Sequence, residues 1–171
     1  MSGANGIRTT IRPYPFAVGL FLALAGCMSA GSQQATPAVT VTPAVSVTSA
    51  ELVGDWGLGS YRQDADRART EKQAMATCNN PYKISAGQNG GVIMHLADQA
   101  QPSELYLKTA SDGRVFLGPK GPAGTKPDRQ VVSFDKGVLV TKLVDPSAAD
   151  RYGILIYVRC PAGKGAAAKK V

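Results

Sequence analysis

At 171 residues the chain has room for one folded domain plus appendages, which excludes a multidomain enzyme. Its 44% hydrophobic and 18% charged residues suffice for a core and exclude wholesale disorder, while 19 Gly and 11 Pro call for many turns. The net charge of +7 gathers at the ends, in Arg8, Arg12, Lys164, Lys169 and Lys170, leaving 14 basic against 12 acidic residues in Glu51–Pro161, and this near-neutral part argues against nucleic acid as partner.

Arg8 and Arg12 precede an apolar run from Phe16 to Ala25, followed by small residues, which is the three-part layout of a secretory signal. The run of about 10 residues is half of what a transmembrane helix needs. Next comes Leu24-Ala25-Gly26-Cys27, which resembles the lipobox of bacterial lipoproteins. That resemblance implies a signal peptide over residues 1–26 and a diacylglyceryl group on the Cys27 thiol. Acyl chains at about 0.8 kcal/mol per buried CH₂ would then hold the mature chain to a membrane. Met28-Ser29 lacks the Asp that resembles an inner-membrane retention signal, so the expected location is the outer membrane, facing the periplasm. The residues alone leave two alternatives: a soluble secreted protein cut near Ala30, and an uncleaved anchor.

Residues 27–50 comprise Cys27 and an uncharged stretch rich in Thr, Ser, Pro and Ala, with TPAV repeated. This reads as a flexible tether reaching up to about 60 Å. A first strand is the alternative, since VTVTPAVSVT alternates by twos, but Pro37 and Pro43 oppose it. Residues 162–171 are mostly Gly, Ala and Lys and read as a disordered basic tail.

Between them, residues 51–161 carry turn signals every 8–12 positions, the spacing of a mainly β fold. The expectation is a small antiparallel barrel or sandwich of about eight strands with one helix after the first. In chain order the strands are Leu52–Ser60, Tyr82–Ser85, Gly91–Leu96, Glu104–Thr109, Arg114–Leu117, Gln130–Phe134, Val138–Val144 and Tyr152–Cys160. Asp135-Lys136-Gly137 marks a hairpin between the sixth and seventh. The helix is Asp64–Thr77, free of Gly and Pro, with Ala65, Ala68, Ala74 and Met75 as its apolar stripe over one end or an open edge of the sheet. The segment Gly118–Pro127 imitates two collagen triplets and reads as a surface loop.

With Cys27 assigned to lipid, Cys78 and Cys160 form an even pair in an exported domain, for which a disulfide is the default. It would set the end of the helix against the last strand and make the first and last strands neighbours. No CxxC spacing or His cluster points to redox chemistry or metal.

No catalytic constellation emerges. His95 is the single histidine, and it alternates with Met94 and Leu96, which places it at a polar rim rather than in a triad. The acidic residues Asp64, Asp66 and Glu71 sit beside Arg67, Arg69 and Lys72 as a solvated helix face. Neither a cofactor nor a metal is expected. What remains is Gly54-Asp55-Trp56-Gly57-Leu58, which resembles the G-x-W signature opening the first strand of lipocalins and of small bacterial metalloprotease inhibitors. The resemblance implies an eight-stranded barrel with Trp56 packed across one end, Gly54 allowing close approach and Leu58 beside it; the alternative is a plain core tryptophan. The helix after the first strand is expected to depart from the up-and-down meander of those families. The functional expectation is an anchored, non-enzymatic module binding an envelope protein or an apolar ligand, and the alternative is an inhibitor of an exported protease. A barrel with an apolar lumen would point to lipid, and a filled one to surface binding.

Overall fold

The computed structural model describes residues 45–162. The leader, Cys27, the tether up to residue 44 and residues 163–171 lie outside the described residues.

The expected eight strands all form: β1 (Gly54–Tyr61), β2 (Tyr82–Ala86), β3 (Val92–His95), β4 (Pro102–Thr109), β5 (Val115–Gly118), β6 (Arg129–Asp135), β7 (Val138–Leu143) and β8 (Ile154–Arg159). They pair antiparallel in chain order and close into a barrel through β1 and β8, from Trp56 opposite Arg159 to Tyr61 opposite Ile154. Closure settles the choice between sandwich and barrel and leaves no sheet edge exposed. The helix inserted after β1 leaves the meander intact, contrary to expectation, because β1 and β2 still pair directly, Trp56 opposite Tyr82. Between β6 and β7, Lys136 and Gly137 both take positive φ, 48° and 76°, the pair of left-handed residues that a two-residue hairpin turn requires.

Alternation along the strands sorts the side chains into two populations. Inside the barrel, Trp56, Val92, Met94, Leu105, Leu117, Leu139 and Tyr157 form a buried cluster together with Leu52. Eight strands enclose just enough space for side chains to fill, and the interior is filled accordingly. Outside it, Tyr61, Val140, Ile156 and Val158 make a second apolar cluster with Ala74.

That outer cluster lies under α2 (Arg67–Ala76), which is extended by single 3₁₀ turns over Asp64–Asp66 and Thr77–Asn79. The helix therefore covers the outer wall at the β1–β8 seam, where no open edge exists. Its buried stripe is Thr70, Ala74 and Cys78, spaced by four, whereas Ala65, Ala68 and Met75 are exposed. The reason is a backbone-to-backbone approach: a Cβ on Gly57 would sit 1.9 Å from the carbonyl oxygen of Ala74, and one on Gly59 2.8 Å from Thr70 Cγ2. The helix docks where β1 has no side chains, so contact chose the small residues rather than the more apolar ones. The Cys78–Cys160 disulfide, linking residues 82 apart in sequence, pins the end of this segment beside the end of β8.

Two short helices were not foreseen. α1 (Ser49–Leu52) starts at Thr48 with a reciprocal cap, the Thr48 side chain accepting from the Glu51 N–H while the Glu51 carboxylate accepts from the Thr48 N–H. Leu52 is wholly buried, and Val45 and Val47 pack against the inner cluster. The packed chain thus starts upstream of Glu51, since Val45 and Val47, within the segment read as tether, touch the core. α3 (Pro146–Tyr152) is capped by Asp145, whose Oδ1 accepts from the N–H groups of Ser147 and Ala148; its last residue, Tyr152, is the first of what reads in sequence as the eighth strand.

Candidate functional site

The two ends of the barrel differ. At one end α1 acts as a plug: Leu52 enters the interior, Trp56 Nε1 donates to the Leu52 carbonyl oxygen at 2.9 Å, and the Arg159 guanidinium stacks over the indole. Arg159 also donates to the carbonyl oxygens of Val53 and Glu51. A Cβ on Gly54 would meet this guanidinium at 2.6 Å. Trp56 and Gly54, two of the three residues singled out in sequence, therefore seal an end, and Trp56, with 0% exposure, touches no solute.

The third, Leu58, lies further along the inward face of β1 and reaches the opposite end, where it is 37% exposed. There the barrel opens into a cavity of about 210 Å³. Its walls are mainly aliphatic and aromatic: Leu58 from β1, Tyr82 from β2, Leu96 after β3, Leu143 from β7, and Leu155 and Tyr157 from β8. His95 closes β3 at the rim, exposed as expected, with its ring tilted against Tyr82 at 5.9 Å.

Two charged groups line this apolar mouth, Asp98 at the rim and Arg129 deeper in. Arg129, the first residue of β6, is 3% exposed. Nη1 donates to the Tyr157 hydroxyl at 2.7 Å and Nη2 to the His95 carbonyl oxygen. Nε is buried and has no partner among the described residues. All 12 acidic side chains of the sequence fall between Glu51 and Asp150, inside the described region, and none makes an ion pair with Arg129. A buried cation without a counter-charge is costly, and proteins keep such groups paired as a rule.

Two phenols complete the arrangement. The Tyr82 hydroxyl accepts from the His95 N–H at 2.8 Å, and burial pushes its pKa above the usual phenol value, partly offset by that bond and, to a smaller extent, by the Arg129 charge. The Tyr157 hydroxyl accepts from Arg129. Each therefore keeps its own O–H to donate. The nearest acidic group on the rim, Asp98, is occupied: its carboxylate accepts from Arg151 and from the Tyr152 hydroxyl, and this bond raises the Tyr152 pKa.

Arg129, Tyr82 and Tyr157 escaped sequence reading. A signal was present, since Arg129 shares its face with buried Val131, two residues on; starting the strand at Gln130 hid it. Among the described residues, no three His, Cys, Asp or Glu side chains converge as metal ligands would. Comparison of the chain with protein-family models, with curated proteins and with solved structures finds no match, so function rests on the residues themselves.

Proposed function

We propose that this chain is a lipid-anchored, non-enzymatic binding module of the bacterial envelope whose ligand seat is the open mouth of the barrel. The observation that carries the seat is the cavity itself, an apolar hollow with a few convergent donors, set in an otherwise filled barrel. The anchor is the lipobox reading at Cys27, and the outer membrane facing the periplasm is the location it favours. Catalysis has little support, because His95, the single histidine, uses its main chain to brace Tyr82 and Arg129. Lipocalin-like ancestry is supported by the G-x-W start of β1 and the eight-stranded meander.

The test is native mass spectrometry of the full chain purified from bacterial envelopes, beside a Leu58→Trp variant that fills the mouth. The expected result is a diacylglyceryl adduct on Cys27 in both, and a non-covalent small-molecule adduct in the parent alone. An unmodified Cys27, or an adduct equally retained by Leu58→Trp, overturns the proposal. Protease inhibition remains the second reading, favoured by the Trp56 signature; loss of activity in a panel of exported metallo- and serine proteases on adding the chain would support it instead.

A further inference from the structure

The identity of the ligand's charged end follows from Arg129, granted that the mouth is a binding seat. We infer that the mouth takes a small apolar carboxylate, its hydrocarbon against Leu58, Leu96, Leu143 and Leu155 and its carboxylate paired with the Arg129 guanidinium.

Three observations converge on this. The guanidinium has two of its donor positions committed to uncharged oxygens and its Nε unspent, although it is 3% exposed. A neutral hydroxyl and a carbonyl satisfy hydrogen-bond directions but do not neutralise charge, so the charge balance of the site is left open for an anion. The phenol hydrogens of Tyr82 and Tyr157, whose rings lie 5.8 Å apart, have no acceptor among the described residues. One guanidinium and two neutral donors match a planar monoanion; a dianionic phosphate would retain a full uncompensated charge in an apolar cavity. Asp98 on the rim carries the opposite sign, but Arg151 and Tyr152 hold it.

Size narrows the class further. A cavity of about 150 Å³ accommodates benzene, so about 210 Å³ holds a chain of some eight or nine carbon atoms, and anything longer must extend out of the mouth.

The test is calorimetric titration of the full chain carrying Cys27→Ser, which removes the expected acylation site. The probes are octanoate, octan-1-ol, octylamine and octyl phosphate, and each is repeated with Arg129→Gln. Octanoate is expected to bind at least about tenfold more tightly than octan-1-ol, the usual strength of one charged hydrogen bond in a buried site, with octylamine weakest. Arg129→Gln should abolish that preference, octanoate then binding no more tightly than octan-1-ol. Equal binding of acid and alcohol overturns the carboxylate while leaving the mouth as a seat. Octyl phosphate binding more tightly than octanoate overturns the monoanion. Failure of all four probes overturns the seat and the inference with it. Should Arg129→Gln not fold, the ranking of the four probes on the parent chain decides alone.

Discussion

Trp56 and Leu52 are joined by an indole N–H to carbonyl bond of 2.9 Å in a fully buried setting, four residues apart. This contact ties α1 to the first strand and closes one end of the barrel, so a signature that looks like a ligand site in sequence works as a stopper. Trp56→Phe removes the donor and leaves both a void and an unpaired carbonyl oxygen. The expected cost is about 2–4 kcal/mol, read as a lower denaturation midpoint in urea.

Gly57 faces the Ala74 carbonyl, where a Cβ would stand 1.9 Å from the oxygen. Neither partner is a flexible side chain, so Gly57→Ala must lift α2 from the wall and loosen Tyr61, Ile156 and Val158 beneath it. A loss of about 2–3 kcal/mol is expected, with faster amide exchange in α2 than in β4 and β5. An unchanged melting curve would contradict the docking described.

Reducing the Cys78–Cys160 bond opens a loop spanning 82 residues of sequence. In the chain-entropy view this removes about 4–5 kcal/mol, and the denaturation midpoint measured with and without reductant should differ accordingly.

Lys108 and Asp128 form a buried ion pair at 2.7 Å, with Asp128 wholly inaccessible. The same carboxylate accepts from the N–H groups of Gly124 and Thr125, and Lys108 also donates to the carbonyl oxygens of Pro119 and Pro122. This pair is what gives the collagen-like segment a fixed path. Asp128→Ala strands the ammonium and should cost about 3–5 kcal/mol, with proteolytic nicking appearing first between residues 119 and 127.

Glu104 shows where acid acts. Its carboxylate accepts from the Asn89 side chain at 2.7 Å and from the N–H groups of Asn89 and Gly91, and these bonds, the side-chain one foremost, hold its pKa below the usual glutamate range. A lowered folded-state value means that the contribution to stability is present at neutral pH and is lost as pH falls through the folded value. Glu104→Gln should therefore melt lower than the parent at pH 7, and the gap should close below about pH 4, as followed by circular dichroism.

How far the sequence disclosed this molecule can be judged from particular residues. The strands were legible because turn residues punctuate the chain between short alternating or, as in β8, continuously apolar runs, and the pair Cys78 and Cys160 foretold that β1 and β8 would meet. The face of α2 was not legible, since apolarity favours Met75 while docking on Gly57 and Gly59 favours Thr70 and Ala74. α1 and α3 carried their caps openly, Thr48 with Glu51 and Asp145 before Pro146, but four and seven residues are too few for periodicity to register. The mouth was the least legible part. It exists only because closure brings Leu58, Tyr82, Arg129 and Tyr157 together from β1, β2, β6 and β8.

The seat itself is tested most directly by amide-resolved NMR of the Cys27→Ser chain during titration with octanoate. Shifts concentrated on residues 95–98, Leu58, Arg129 and Leu155, with the α1 end unmoved, are what a carboxylate seated at the mouth produces. Shifts centred on α1 or on the outer face of α2, or none at saturating octanoate, would contradict it.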